Sequence, residues 1–507
     1  MKNIFKIILL SFPLWGLGGC DSGFDDLNIN KTAATSINPV FTFNNALINM
    51  SFPAQTVQYE ISVVQQMLSP NSGVLTGANF NQDNRDATSQ NWQKFYRSVI
   101  RNSEDVINTT QTLPARSNLF NMAKILQAYA FMVLTDTYGD VPYTEAGVGY
   151  ISQIVLPKYD SQQTIYAGII KDLTDATTAL DASKNIETAD VLYGGDVAKW
   201  KKFGNSLLLR AGMRLSKIDA TQAQSVVQKA VAGGLMTSNA DNAFIKHDAN
   251  YTNPVGQMLN STEAANFYMG APFVDFLVKT GDPRLKSIAV RYVGANSGPE
   301  QIASRATSEP AMQIGMPFGY DNSSIATPVK TAGLKSFYDY TQVDRTRMVK
   351  LASPMYFVTF GQTQLLLAEA AQRGWVTTGT AADYFNAGVR AHMEQLASYD
   401  ANSAVPAASI DAYLKANPYI AATALEQINT QYWVASFLNG PETFANFRRS
   451  GFPKLSPNPF PGKSIKGNFI NRLTYPNSEI SVNNVNVQTA VGRQGADDLD
   501  SKVWWDK

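Results

Sequence analysis

AYAFMVLTDTYGDVPYTEA, residues 128–146, combines the end of an apolar helix with a tight turn. Apolar residues recur here and just upstream at three- and four-residue spacing, which lines one helix face: Leu119, Met122, Ala123, Leu126, Ala130 and Val133. Gly139 can adopt the conformation that ends a helix, and Pro142 cannot continue one. Val141 precedes that proline and is expected to be extended. The stretch therefore predicts a buried helix followed by an aromatic-flanked turn at residues 138–143.

Helical periodicity downstream of this stretch predicts a pair of helices. Asp160 and Gln163 can form a capping box ahead of an apolar stripe that extends to Leu180. Asp196 is a suitable N-cap for the next helix. The apolar stripe of that helix is Trp200, Phe203, Gly204, Leu207, Leu208, Ala211 and Leu215. Paired helices joined by short turns are typical of tetratricopeptide-like repeats, although the strict repeat consensus is absent.

The chain alternates between helical and irregular regions. Helices are expected at about 92–234 and 355–440, and regions rich in Asn, Gly, Ser and Pro at about 69–91, 241–350 and 441–507. The predicted fold class is all-α, with tetratricopeptide-like helical hairpins forming a scaffold and a large irregular loop-rich subdomain on one side. Residues 41–507 would form a single domain. Because rigid scaffolds commonly present binding residues on loops, we expect the irregular regions to face a ligand.

The amino terminus predicts export and lipidation. Lys2 and Lys6 precede an apolar run at residues 7–17, which is shorter than the roughly 20 residues that span a bilayer. Residues 17–20, LGGC, resemble a lipobox, so residues 1–19 are predicted to be a signal peptide and 20–40 a lipidated tether. Acylation of Cys20, the only cysteine, would leave no thiol for a disulfide, a nucleophile or a zinc site. The alternative is an ordinary secretory signal that contains a cysteine.

Composition excludes some functional classes. The sequence has 42 basic and 41 acidic residues and no basic run, so it lacks the charge pattern of a nucleic-acid-binding protein. No later segment is apolar and long enough to be a transmembrane helix. With 44% hydrophobic residues the chain is expected to be globular rather than disordered.

Eight separated segments resemble, in order, those of the SusD/RagB family of surface lipoproteins, particularly its SusD-like group two. They are the lipobox followed by FDDLN, YGDVPYTEA at 138–146, WKKFGNSLLLRAGMRLS at 200–216, GDPRL at 281–285, LLLAEAAQRGW at 365–375, FRRSGFP at 447–453, RLTYPNSE at 472–479 and WWD at 504–506. The resemblance covers the whole chain.

This resemblance implies a function as well as a fold. Family members capture oligosaccharides or, in some cases, peptides, and act as the surface lid of a SusC-like TonB-dependent outer-membrane transporter. The chain would then be held on the outer membrane by lipid at Cys20, facing the cell exterior. The resemblance implies no cofactor, and it leaves open whether a structural calcium is bound.

The residues themselves predict neither a catalytic nor a metal site. The only histidines, His247 and His392, are far apart in sequence, which disfavours a metal or acid–base cluster. Glu369 on its apolar helix and Asp282 near Arg284 are expected to pair with nearby charges. A surface glycoside hydrolase stays open as an alternative, because 41 acidic residues could conceal a carboxylate pair. A repeat scaffold that binds only proteins is a third possibility.

Ligand binding is predicted at aromatic residues with amide or carboxylate neighbours on loops, since a sugar or peptide is held by flat apolar rings and polar groups together. The candidates are Asn79, Phe80, Asn81, Tyr251, Phe267, Tyr268, Phe318, Tyr320, Asp321 and Tyr338. We expect the loops around Phe80, Tyr268 and Tyr320 to converge on one face. The predicted function is capture of a nutrient oligomer, a glycan in preference to a peptide.

Overall fold

Helices dominate the computed structural model, which describes residues 37–507. Residues 39–507 form one compact unit. The predicted signal peptide, Cys20 and the tether as far as residue 36 lie outside the described residues. Within the described range, no helix combines the length and the hydropathy that a membrane span requires.

The α-helices are numbered in chain order. They are α1 (Pro39–Ile48), α2 (Glu60–Val63), α3 (Arg85–Lys94), α4 (Arg101–Thr110), α5 (Ser117–Tyr138), α6 (Gly149–Ser152), α7 (Gln162–Ala179), α8 (Val197–Arg214), α9 (Ala220–Gly233), α10 (Pro254–Leu259), α11 (Ala271–Lys279), α12 (Arg284–Ile288), α13 (Ala326–Thr331), α14 (Phe360–Gln372), α15 (Ala381–Gln395), α16 (Ala407–Ala416), α17 (Ala424–Ala435), α18 (Gly440–Ser450), α19 (Asn477–Val482) and α20 (Asn484–Gln494). A π-helical turn, Phe95–Ile100, joins α3 to α4.

The strands are short and pair antiparallel. They are β1 (Met67–Leu68), β2 (Val141–Pro142), β3 (Tyr159–Asp160), β4 (Ala243–Ile245), β5 (Tyr268–Met269), β6 (Ala289–Tyr292), β7 (Ala306–Thr307), β8 (Gln342–Val343) and β9 (Met355–Val358). β1 pairs with β5, β2 with β3 and β4 with β9, and β6 lies between β7 and β8. These ribbons fasten the irregular segments to the helical scaffold, and the all-α fold class is confirmed.

Helix α5, which contains the first half of the quoted stretch, is the centre of the scaffold. Nearly all of its side chains are buried, because α4, α7, α8 and α18 all pack against it. The chain continues as neighbouring pairs, α7 with α8 and α8 with α9, and later α14 with α15 and α17. The predicted helical hairpins are therefore present on both sides of the irregular middle region.

The turn after α5 forms as predicted. Gly139 ends α5 with a φ of 82° and a ψ of −123°, outside the left-handed helical region but at a positive φ that side chains rarely adopt, so glycine is favoured there. Val141 and Pro142 are extended in β2. Asp196 caps α8, because its side chain accepts a hydrogen bond from the backbone of Lys199.

The prediction that Asp160 caps α7 is wrong. Ser161 is the N-cap and accepts from the backbone N–H of Thr164. Asp160 instead accepts from the backbone N–H groups of Tyr143 and Thr144, at 3.2 and 2.8 Å. Pairing of β3 with β2 brings the Asp160 carboxylate to the turn, a tertiary effect that local spacing does not show.

Some predicted region boundaries differ from the structure. Helix α3 begins at Arg85 because Asn84 accepts from the backbone of Ala87, so the irregular loop ends at residue 84 rather than 91. Residues 241–350 include α10–α13, and residues 441–507 include most of α18 with α19 and α20. Helix α20 buries only Val487 and Ala490, so its apolar period was too weak to predict a helix.

Candidate ligand-binding site

Half of the predicted ligand-binding residues are buried in the protein. Side chains less than 5% exposed are Asn79, Phe80, Asn81, Phe267 and Tyr268. Asn79 uses its whole amide internally, since Nδ2 donates to the carbonyls of Ser69 and Tyr320 and Oδ1 accepts from the backbone of Gly319. A buried amide with every hydrogen bond satisfied holds loops together. It has no free group for a ligand.

Phe267 directly precedes strand β5, which begins at Tyr268, and the extended backbone there explains why both rings are buried on different sides. Successive side chains of a strand point to opposite faces. Phe267 joins the main core, whereas Tyr268 lies in a second, smaller core with Met316 and Tyr340. The Tyr268 hydroxyl donates to the carbonyl of Ala265 at 2.6 Å, and burial raises its pKa. Both rings pack as core residues.

The predicted loops do lie together. Leu68 of β1 pairs with Tyr268, so the segment that leads to Asn79 runs beside β5. The hydrogen bonds of Asn79 attach residues 319 and 320 to the same loop. Phe80 meets the ring of Phe460 edge-on, at a centroid distance of 4.9 Å. Loop 69–84 is therefore the common support of this part of the surface.

Four half-buried rings form what we call the aromatic patch: Phe318, Tyr320, Phe337 and Tyr338. Phe337 and Tyr338 stack on each other with centroids 4.2 Å apart, and Phe337 meets Tyr268 edge-on at 6.0 Å. Rings that are fixed on one side and open on the other can stack on a sugar or a peptide side chain. Sequence analysis named all of the patch except Phe337 as ligand-binding residues.

Two further predicted residues have other contacts. The Asp321 carboxylate accepts hydrogen bonds from the backbone N–H and the hydroxyl of both Ser323 and Ser324. These bonds, of which those from Ser324 have the larger effect, lower the pKa of Asp321 to about 2. The Tyr251 side chain contacts the end of α1, because its hydroxyl donates to the carbonyl of Ile48. Its ring stacks on that of His247. Ligand binding by all ten predicted residues stays a prediction.

An open cleft of about 720 Å³, which we call the polar cleft, borders the same loop. Its lining residues are Gln55, Gln58, Gly73, Val74, Thr76, Asp83, Asn84, Arg85, Asp86, Ala87, Gln90 and Asn477. Amide, carboxylate and guanidinium groups are the polar partners that sugar hydroxyls need. Sequence analysis did not predict the lining residues of this cleft, because α3 and α19 are distant in sequence and come together only in the folded protein.

A second groove of about 750 Å³ lies on the irregular region, along α12, β7 and the start of α16. The charged groups there are already paired. Arg347 binds Asp344 at 2.6 Å, and Lys286 binds Glu309 at 2.9 Å. None of the predicted ligand-binding residues lines this groove.

The groups considered for catalysis have structural partners. Glu369 accepts from Arg449 and Arg373, and Arg284 binds Asp282, so both predicted charge pairings are confirmed. His392 contacts Arg284 Nη1 at 3.0 Å, and its pKa is lowered well below the usual value by burial and by that cation. Within residues 37–507 no group of three or more His, Cys, Asp or Glu side chains is arranged to hold a metal ion.

One buried acid has an unusual protonation equilibrium. Burial raises the pKa of the Glu60 carboxyl to about 8. Its side chain is 1% exposed and accepts from Asn91 Nδ2 at 2.5 Å. Because Glu60 does not line the polar cleft or the second groove, it has no access to a substrate there.

Comparison with known proteins identifies the family. Residues 30–476 match the family SusD-like_2, described as "Starch-binding associating with outer membrane". A chitin-binding protein of known structure is 32% identical, with a TM-score of 0.82, and the alignment covers 92% of this chain and all of that one. A comparison with curated proteins finds no match.

Two further solved structures have the same fold. A SusD-like protein from Bacteroidetes is 25% identical with a TM-score of 0.79, covering 93% of this chain and all of its own. A chitin-binding SusD homolog from Flavobacterium johnsoniae is 24% identical with a TM-score of 0.75, covering 92% of this chain and 98% of its own. With the family match over most of the sequence, these likenesses show that the chain belongs to the SusD-like family of nutrient-binding surface proteins.

Proposed function

We propose that this protein captures glycan oligomers at the cell surface. It would use two features that border loop 69–84, the polar cleft and the aromatic patch. The observation that carries the proposal is the cleft of about 720 Å³, which is open and lined by amide and carboxylate groups. Sugars are bound by such groups together with aromatic faces, and the half-buried rings of the patch supply those faces. The chitin-binding relative supports an N-acetylglucosamine oligomer as the first ligand to try.

The proposal includes a place and a partner. The protein would be held on the outer membrane by lipid at Cys20, facing outward, and would hand its ligand to a SusC-like TonB-dependent transporter as that barrel's lid. The LGGC sequence at residues 17–20 and the family match support this assignment. The alternative ligand is a peptide. Measuring the affinities of glycans and of peptides for the same variants separates the two.

Replacing Cys20 by alanine is expected to release the protein from the membrane. A lipid chain contributes roughly 0.8 kcal/mol for each buried methylene, so loss of the acylated cysteine removes the anchor. The measurement is the share of protein in the membrane fraction after a carbonate wash. A Cys20→Ala protein that stays in the membrane fraction would contradict lipid attachment at this position.

Replacing Tyr320 by alanine is expected to weaken glycan binding about tenfold, because aromatic stacking adds on the order of 1 kcal/mol to the burial of the ring area. Isothermal titration with soluble glycan oligomers measures the change. Tyr150→Ala is the matched control, since Tyr150 is 60% exposed and lies outside the aromatic patch and the polar cleft. Equal binding by the parent and Tyr320→Ala would remove the aromatic patch from the proposal.

The competing hydrolase interpretation has its own test. Incubated oligosaccharides should remain unchanged by mass spectrometry, because the acids and histidines examined above are engaged in structural contacts. Product that disappears when Asp83 or Asp86 of the polar cleft is replaced would assign a glycosidase instead.

A further inference from the structure

A small pocket lies beside the turn at residues 138–143, outside the polar cleft and the aromatic patch. Its volume is about 220 Å³, and its lining includes Trp92, Tyr96, Arg97, Pro142, Ala146 and Glu479. The π-helical turn after α3, the turn after α5 and the start of α19 meet here. π-Helical turns are rare and occur frequently at functional sites. We call this feature the Trp92 pocket.

The aromatic side of the Trp92 pocket is held in place. Trp92 is 5% exposed, and its ring lies 4.8 Å from that of Tyr96 and 5.9 Å from that of Tyr159, measured between centroids. The Tyr96 hydroxyl donates to the carbonyl of Pro142 at 2.6 Å. Because these rings are already held in place without a ligand, binding would carry no entropy cost for ordering them.

The indole N–H of Trp92 is unused. Among the described residues it has no hydrogen-bond acceptor, and it is not one of the fully buried polar atoms that lack a partner, so it keeps access to the pocket that Trp92 lines. Trp200 and Trp505, which are also buried, donate from Nε1 to Asp190 and Asp136 at 2.7 and 2.8 Å. Because this N–H keeps access to the pocket, an acceptor on a bound molecule can receive its hydrogen bond.

Two charged groups of the same pocket are also available. The guanidinium of Arg97 makes no hydrogen bond or ion pair within the described part of the chain. Glu479 Oε2 accepts from the Tyr159 hydroxyl at 2.9 Å, whereas Oε1 has no partner among residues 37–507. The pocket therefore offers two donors, Trp92 and Arg97, and one carboxylate acceptor beside an aromatic wall.

We propose that the Trp92 pocket binds one N-acylated amino-sugar residue. The acyl oxygen accepts from the Trp92 indole, the amide N–H donates to Glu479, and the acyl methyl packs against Pro142 and Ala146. Arg97 donates to hydroxyls of the sugar ring. This assignment rests on the proposed glycan-binding function and adds the pocket and the residues that would recognise the acylamino group.

The size and position of the pocket favour one residue at the end of an oligomer. Its volume, about 220 Å³, is below the roughly 300–1,000 Å³ of sites for drug-sized ligands. It adjoins the polar cleft, because Gln90 and Asn477 line the cleft while Gln93 and Ser478 line the pocket. A glycan in the cleft can therefore place its terminal residue in the pocket.

Isothermal titration with the N-acetylglucosamine trimer and the glucose trimer cellotriose tests acyl recognition. The acylated trimer should bind the parent about tenfold more tightly, as expected for hydrogen bonds that cellotriose cannot make. Trp92→Phe keeps the ring and removes the N–H, so it should weaken binding of the acylated trimer about three- to tenfold and leave cellotriose unchanged. Arg97→Ala should weaken both trimers. Trp375→Phe, a change of the same kind outside the pocket, is the control.

Nuclear magnetic resonance provides a local readout. The Trp92 indole N–H signal, identified by its absence in Trp92→Phe, should shift on addition of N-acetylglucosamine and stay in place with glucose. An N-acetylated amino-acid amide carries the same acylamino group on a peptide. A shift with that amide and none with the sugar would overturn the sugar assignment.

The outcomes separate this inference from the proposed function. If the N-acetylglucosamine trimer binds Trp92→Phe and Arg97→Ala as it binds the parent, while Tyr320→Ala is weakened, the pocket is overturned and the glycan-binding function stands. Equal affinity of the parent for both trimers overturns acyl recognition alone. If the parent binds no saccharide of a broad panel, both assignments fail.

Discussion

Trp200→Ala is expected to lower the free energy of unfolding by about 3–5 kcal/mol, the range for removing a buried tryptophan. The Trp200 side chain is fully buried on α8, with the rings of Phe43, Tyr193 and Phe203 within 5.7 Å between centroids. Its Nε1 also donates to the buried carboxylate of Asp190 at 2.7 Å, which would lose that donor. The loss thus combines a cavity with a weakened buried hydrogen-bond network.

Urea unfolding followed by circular dichroism measures the Trp200 effect without relying on tryptophan fluorescence. Val485→Ala is the control, because Val485 is 79% exposed on α20 and its change should stay within about 0.5 kcal/mol. A loss below about 1 kcal/mol in Trp200→Ala would contradict its place in the core.

Glu369→Ala is expected to cost about 3–5 kcal/mol, because it leaves a buried cation without its counterion. Arg449 donates to both carboxylate oxygens of Glu369, at 2.8 and 2.6 Å, and both side chains are 1% exposed. Arg373 and Asn429 donate to the same carboxylate. Lys171→Ala, which breaks an exposed pair with Asp175, is the control and should leave stability nearly unchanged, because exposed pairs contribute little.

The effect of Glu369 should depend on pH. Burial alone would raise the pKa of this carboxyl, but Arg449 and then Arg373 outweigh burial and lower the pKa to about 2. Since an unfolded glutamate titrates near about 4.3, the stabilisation is complete above that pH and is lost as the pH falls towards 2. The stability difference between the parent and Glu369→Ala should therefore shrink across this interval. A constant difference from pH 5 to pH 2 would contradict the ion pair.

The candidate site was predictable as a region but only partly as residues. Loops rich in Asn, Gly and aromatic residues indicated the ligand side, and Tyr320 and Tyr338 keep a half-open face there. Tyr268 and Phe80 have the same local composition, yet both rings are buried. Aromatic residues on loops look alike in sequence, whether another loop covers them or not.

The polar cleft and the Trp92 pocket show the limit more clearly. Asn477 and Glu479 belong to a segment quoted for its family resemblance, with no chemical role predicted. They reach the walls of these cavities because α19 packs near α3 and the turn after α5. Trp92 is buried, but the absence of a described partner for its indole N–H is visible only in three dimensions.

The sequence by itself determined the helical scaffold, the turn at Gly139 and Pro142 and the cap at Asp196, because each depends on residues within about one helical turn. Tertiary structure decided which polar groups are satisfied and which face a cavity. Trp505 donates to Asp136 across 369 residues, and Gln66 Nε2 donates to the carbonyl of Trp433 across 367. Such partners are set by how the helices and loops pack. Because a buried polar group needs a hydrogen-bond partner, packing decides which groups find one within the protein and which are left for a ligand in a cavity.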